Sequence, residues 1–260
     1  MIREANTLDK LSILKFCNST FSWGDYVDKV WDFWLSERNL FLFEQGENPI
    51  GICHAFYSEN QVWIEGIRID PNFRRQKIAS KLIRHIESMG KEKNNILFSY
   101  MLIDTENNPS LTMAKSLDYD IYQTWNFYSL EPQKNSNYNI HFEKTLDLQI
   151  YSHYVRSWRW LPINDITLSK FYEQNKIIKS TIHKKSSIAI LTDSEHFDKT
   201  LIVTLFSNSK NTTLQVISFL QNYGFEMKYE RIQILTKENL SLYDSLNPKL
   251  SFYLMRKLLS

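Results

Sequence analysis

Hydrophobic residues along the chain follow two periods. Over residues 9–18 and 25–37 they recur at three- and four-residue steps, the spacing of a buried helix face, and Ser22-Trp23-Gly24 breaks the pattern between them. Residues 40–44 and 50–57 are apolar runs of strand length joined by Gln45-Gly46-Glu47-Asn48-Pro49, a turn composition that predicts an antiparallel hairpin. Residues 62–69 form a third predicted strand, ended by Pro71. Ile78, Leu82, Ile86 and Met89 then mark one stripe of a helix whose other face is charged. Residues 96–103 are almost wholly apolar, as a strand covered on both faces should be. Asn108-Pro109 reads as the N-cap and first residue of a short helix carrying Leu111, Ala114 and Leu117 on one side.

The polar stretch 131–139, with Pro132, Asn135, Ser136 and Asn137, predicts a linker and hence domains over 1–131 and 132–260. Beyond it, 187–192 and 201–206 read as strands, 212–222 as a helix closed by Gly224, and 231–236 as a strand. A last helix is predicted over 238–246 and a terminal strand over 252–258. This order repeats the one between residues 50 and 130. The pattern predicts an α+β chain, a mixed and mostly antiparallel sheet flanked by helices, occurring in two similar halves.

With 260 residues, 43% of them hydrophobic, the chain has material for two packed cores. A net charge of +2 asks for no nucleic-acid or membrane partner, so basic residues need local explanations. Cys17 and Cys53 are too few for a disulfide framework and stand at no metal-ligand spacing, so no metal is expected. No apolar run is long enough to span a bilayer, and Met1-Ile2-Arg3-Glu4 opens without a signal-peptide core; the expectation is a cytoplasmic protein.

Charge concentrates where a strand meets a helix, at Ile67-Arg68-Ile69-Asp70-Pro71-Asn72-Phe73-Arg74-Arg75-Gln76-Lys77-Ile78-Ala79-Ser80. Backbone N–H groups in a first helical turn point past the helix end, and the dipole favours an anion there. Arg74, Arg75 and Lys77 add positive charge and Ser80 a hydroxyl; the alternative is a solvated basic turn.

Ile69-Asp70-Pro71 followed by Arg74-Arg75-Gln76-Lys77-Ile78-Ala79 resembles the pyrophosphate loop of the GNAT superfamily of acyl-CoA-dependent N-acyltransferases, with Lys77 in the place of the first loop glycine. Asn107-Asn108-Pro109-Ser110-Leu111-Thr112-Met113-Ala114 resembles the family's second cofactor segment, with Asn107 and Ser110 at the cofactor-facing positions and Ala114 where many members carry a tyrosine. The resemblance implies acetyl-CoA as cofactor, held by Ile67, Ile69, Arg74, Arg75, Gln76, Lys77, Ile78, Ala79, Ser80, Asn107 and Ser110. It also implies a pantetheine arm between two splayed parallel strands, a backbone N–H at a strand bulge near Ile69 facing the acyl oxygen, and direct attack by an amine of a small molecule or peptide.

An ammonium must lose a proton before it attacks, so a base is needed. Glu65 lies in an otherwise apolar strand, where burial favours basicity, and is the candidate; pairing with Arg68 is the structural alternative, and His54 is the alternative base. Tyr100, Tyr119 and Tyr122 are the candidates for protonating the leaving thiolate in place of Ala114, with water as the other route. Trp23 and Tyr26 are assigned to the acceptor side, while Trp31 and Trp34 follow helical core spacing. The second half lacks a comparable loop at Phe206-Ser207-Asn208-Ser209-Lys210-Asn211-Thr212, which predicts a degenerate partner domain. Arg156-Ser157-Trp158-Arg159-Trp160 is either a ligand-stacking surface or a structural anchor. Three readings follow: an N-acetyltransferase, a catalytically silent acyl-CoA binding module, or a protein–protein adaptor.

Overall fold

The computed structural model describes residues 1–18, 20, 25–93, 95–145 and 151–259. The Ser22-Trp23-Gly24 break, and with it the acceptor residue Trp23, lies outside them. The first elements are β1 (Ile2–Glu4), α1 (Lys10–Cys17), α2 (Val27–Glu37), β2 (Leu40–Gln45), β3 (Asn48–Ser58), β4 (Gln61–Ile69), α3 (Ile78–Lys91), β5 (Phe98–Asp104), α4 (Asn108–Lys115) and β6 (Asp120–Leu130). A reciprocal cap at Asn6 and Asp9 opens the first helical segment, and Arg3 grips both Asp9 (2.7 Å) and Glu44 (2.7 Å), holding β1 against β2. The periodic apolar residues of α2, Val27, Val30, Trp31 and Trp34, are all buried.

The remaining elements are β7 (His141–Phe142), β8 (His153–Arg156), β9 (Arg159–Pro162), α5 (Asp165–Glu173), β10 (Ile177–Ile182), β11 (Lys185–Asp193), β12 (Thr200–Phe206), α6 (Lys210–Glu226), β13 (Arg231–Thr236) and β14 (Leu246–Leu258). Two expectations are corrected here. Residues 238–245 form bends and turns and Leu246 already begins β14, because the Leu240 N–H donates to the Tyr128 hydroxyl at 2.8 Å and the Asn239 side chain accepts from Ser241 N, which diverts the backbone from a helical ladder. Gly224 does not close α6 but lies inside it, packed closely on β13, where an added Cβ would sit 2.6 Å from the end of the Ile232 side chain.

The chain divides into two compact units, Met1–Tyr122 with Leu254–Ser260, and Gln123–Tyr253. In the first, β1, β2, β3, β4 and β5 lie side by side in that order, with the end of β14 next to β5; β1 with β2, β2 with β3 and β3 with β4 are antiparallel and β4 with β5 is parallel. In the second, the order is β14, β6, β13, β12, β11, β10, β7, and β12 with β13 is the parallel pair. The polar stretch 131–139 belongs wholly to the second unit: Gln133 N donates to Gln221 O (3.1 Å) and Asn135 Nδ2 to Gln221 Oε1 (2.9 Å), laying it along α6. The change between units falls instead inside β6, whose residues from Asn126 to Leu130 pair with β13.

Candidate active site

A bulge and a parting of strands meet at the middle of β4. Ile52 pairs with Arg68 and His54 with Glu65, so Gly66 and Ile67 together face Cys53 and form a bulge on β4. Gly66 takes φ +64°, and an added Cβ would lie 2.3 Å from the Trp34 ring; the position demands glycine on both counts. The bulge therefore sits at Gly66–Ile67, two residues before Ile69, which pairs regularly with Gly51. On its other edge β4 pairs with β5 only through Gln61 with Phe98, Val62 with Ser99 and Trp63 with Tyr100. Beyond Trp63 and Tyr100 the two strands leave each other, which frees backbone N–H and C=O groups along both edges for another partner.

The basic loop follows directly. Asp70 caps the short turn Pro71–Phe73 by accepting from Asn72 N, and Arg74 Nε reaches back to Ile69 O at 3.3 Å. Arg74, Arg75, Gln76 and Lys77 are exposed, Ala79 and Ser80 half-buried, and Ile78 buried. Arg75 (φ 62°) and Lys77 (φ 60°) both adopt the left-handed conformation, so Lys77 takes up the backbone geometry a glycine would supply there, at a cost of roughly 1 kcal/mol. No side chain caps α3, whose first-turn N–H groups face the loop beside these cations.

Glu65 is drawn into a buried polar chain. His54, fully buried, places Nδ1 2.9 Å from Glu65 Oε1, and Nε2 3.2 Å from the Arg38 carbonyl and 3.6 Å from Glu37 Oε2. The ring can donate to Glu65 through Nδ1 or to the Arg38 carbonyl through Nε2, the tautomer setting which. Glu37, His54 and Glu65 offer ligand atoms within 4.8 Å of one another, a grouping of metal-ligand type; the Arg38 carbonyl makes it a hydrogen-bonded chain. Trp63 Nε1 donates to Glu65 Oε2 at 3.2 Å, and Trp34 stacks on the imidazole with ring centres 5.1 Å apart. Arg68, the alternative partner for Glu65, instead binds Asp25 (2.6 Å) and lies over the Tyr26 ring (5.2 Å), so Tyr26 is part of the clamp that joins the start of α2 to β4. Burial pushes the Cys17 thiol up to about 12 and the Cys53 thiol higher still, so neither supplies a thiolate nucleophile.

A strand bulge, an open parallel pair and an uncapped helix behind a basic loop coincide with the segment, residues 8–119, that matches the acetyltransferase (GNAT) family. Residues 8–119 are a GNAT domain. The likeness in fold extends over the whole chain. A GCN5-related N-acetyltransferase from Sphaerobacter thermophilus is 9% identical with a TM-score of 0.66, covering 100% of this chain and 95% of the other. A protein from Thermoplasma acidophilum is 13% identical with a TM-score of 0.64 over 99% of both chains. A tandem GNAT protein from the clavulanic acid biosynthesis pathway is 9% identical with a TM-score of 0.57, covering 100% and 98%. No curated protein sequence matches significantly.

Within the GNAT domain, α4 begins one residue earlier than expected: Asn107, not Asn108, is the N-cap, and its side-chain oxygen accepts from Ser110 N at 3.2 Å. Ala114 is fully buried. Of the three tyrosines, Tyr119 is buried with its hydroxyl 2.6 Å from Ser99 Oγ, and burial pushes it well above the usual phenol range. Tyr100 stands level with Trp63 in the register and therefore on the face that carries Glu65; Tyr122 lies 6.0 Å from it, ring to ring.

The corresponding places in the second unit are closed. Pairing of β12 with β13 runs unbroken from Thr200 with Arg231 to Leu205 with Thr236, and β11 with β12 shows no register shift. Ser209 caps α6 by accepting from Thr212 N, and Ser187, Thr212 and Thr213 form a buried hydroxyl cluster at that end. The segment 156–160 is the tip of the β8–β9 hairpin: Trp160 is buried against Trp125, and Trp158 packs on Phe127 and Phe252 while donating to Gln233 Oε1. The anchor reading of that cluster is the one these contacts carry.

Proposed function

We propose that the first unit binds acetyl-CoA and transfers its acetyl group to an amine of a small molecule or peptide. The observation that carries this is the coincidence of the opening between β4 and β5 with the bulge at Gly66–Ile67 and the uncapped start of α3. The residues present suit the group: free N–H groups over Gln76 to Ser80 with Arg74, Arg75 and Lys77 beside them fit a pyrophosphate. The separated backbone edges of Ile67 and Ile69 fit the amides of a pantetheine arm, with Asn107 and Ser110 at the start of α4 beyond it. When bound, acetyl-CoA supplies the acetyl group already activated as a thioester.

The chain supplies proton transfer and orientation. Glu65, held by His54 and Trp63, takes the proton of the incoming ammonium, with the His54 imidazole beside it to share the charge. The Ile67 N–H at the bulge is the backbone donor that would face the acyl oxygen. Tyr100 and Tyr122 are the groups of the Glu65 face placed to return a proton to the departing thiolate. The second unit, closed at both corresponding places, is assigned no cofactor.

Thiol release from acetyl-CoA with a library of amines tests the reading: turnover that falls in Glu65→Gln while acetyl-CoA affinity persists supports it. A second reading, a silent acyl-CoA binding module, is favoured by buried Ala114 and by Lys77 in the loop; it predicts micromolar binding with no amine-dependent thiol release.

A further inference from the structure

The first unit's acceptor face carries a guanidinium that comes from the far end of the chain. Arg256, on the end of β14 that belongs to this unit, lies 3.9 Å above the centre of the Tyr122 ring and 5.3 Å from that of Phe98, and the Tyr122 ring in turn lies 6.0 Å from that of Tyr100. Phe98 and Tyr100 alternate on the same side of β5, and Tyr100 is level with Trp63, which in turn donates to Glu65. Arg256, Tyr100, Trp63, Glu65 and His54 thus share one face. The other half-buried arginines of the unit are matched to carboxylates, Arg3 to Asp9 and Glu44 and Arg68 to Asp25. Arg256 makes no carboxylate contact among the described residues; two aromatic rings orient it instead. Ring stacking fixes the plane of a guanidinium while leaving its edge donors available, the arrangement that recognises a planar anion.

We propose that Arg256 binds a carboxylate of the acceptor, so that the acceptor is an amine that also carries a carboxylate, such as a short peptide with a free carboxyl end. The assignment rests on the first unit being an acyltransferase whose amine enters beside Glu65. β14 is the second strand over from β4, so two strand spacings, on the order of 10 Å, set the least separation of Arg256 from Glu65, and the parting of β4 from β5 beyond Trp63 adds to it. That span suits a tripeptide or an ω-amino acid of similar length and exceeds the reach of glycine. It also gives the last strand of the chain a part in the chemistry of the first unit.

The test compares matched acceptors in the full chain: triglycine with triglycinamide, 6-aminohexanoate with its amide, and glycine with glycinamide as the short pair. The readout is the ratio of kcat/KM for acid over amide, by thiol release from acetyl-CoA. A desolvated charge-assisted contact predicts a ratio of about 10 to 100 for one or both long pairs, none for glycine, and a ratio near 1 in Arg256→Gln. Arg256→Lys, which keeps the charge but not the fork, should retain part of it. Equal use of acid and amide, or a preference that persists in Arg256→Gln, overturns the assignment. No turnover with any pair while acetyl-CoA still binds counts against acyl transfer itself. Calorimetry of triglycine and triglycinamide on the acetyl-CoA-loaded protein then decides the role of Arg256 by the same ratio.

Discussion

Lys257 Nζ lies 2.9 Å from Glu87 Oε2, and this ion pair joins the last strand of the chain to α3 across 170 residues of sequence. Glu87 is buried, and its second oxygen has no partner among the described residues. Removing one member leaves an uncompensated buried charge, which costs about 3–5 kcal/mol. Lys257→Ala should destabilise the first unit by that order in urea denaturation, and Lys257→Met with Glu87→Leu by much less. Residues 1–131 expressed alone lack Lys257, Leu254 and Met255 and should fail to give a cooperative transition.

Arg3 and Asp9 set an acid limit. Hydrogen bonds from the Arg3 guanidinium, and secondarily from Asn6 N, hold the Asp9 carboxyl below its usual 3.8. A carboxyl lowered in the folded state contributes stability that is fully present above its unfolded value and disappears as pH falls through the folded one. Asp9→Asn should therefore reduce stability near neutrality, with the difference from the parent shrinking below about pH 4 as Asp9 is protonated. Urea midpoints from pH 7 down to pH 2 measure it.

Lys77 separates charge from backbone strain. Lys77→Gly removes the left-handed cost and should stabilise by about 1 kcal/mol, whereas Lys77→Ala keeps the strain and should leave stability close to the parent. Both lose a cation at the mouth of α3, so the salt dependence of acetyl-CoA binding should weaken in both.

Glu65→Gln should lower amine-dependent transfer by about 10²–10⁴-fold with acetyl-CoA affinity retained. His54→Phe fills the space against Trp34 but leaves Glu65 without its ring partner; transfer should fall in the same direction, with the loss in kcat rather than in the KM for acetyl-CoA.

Much of this arrangement was legible in the chain wherever periodicity was long and local. The stripe of α2 and the apolar strand Arg231–Thr236 appear as expected, and the basic loop lies at a helix start. Elements between 153 and 182 carried no expectation because their turns lack the usual residues: Ser157 and Trp158 join β8 to β9, and His183 and Lys184 join β10 to β11, all with positive φ and none of them glycine or asparagine. Asn164 caps α5 through Thr167 N, the one local start signal in this stretch of sequence. The bulge was out of reach for another reason, since it depends on how Gly66 fits under Trp34 and on a register that shifts opposite Cys53. Arg256 had no local signal at all; only the return of β14 to the first unit brings it to Tyr122.

Calorimetric titration of the full protein with acetyl-CoA, with free CoA and an adenosine nucleotide as controls, tests most directly the proposal that the first unit holds acetyl-CoA and the second does not. The predicted result is one site per chain, specific for CoA species and weakened about 10- to 100-fold in Arg74→Ala with Arg75→Ala. Two sites, no site, or one site untouched by the double substitution would contradict it.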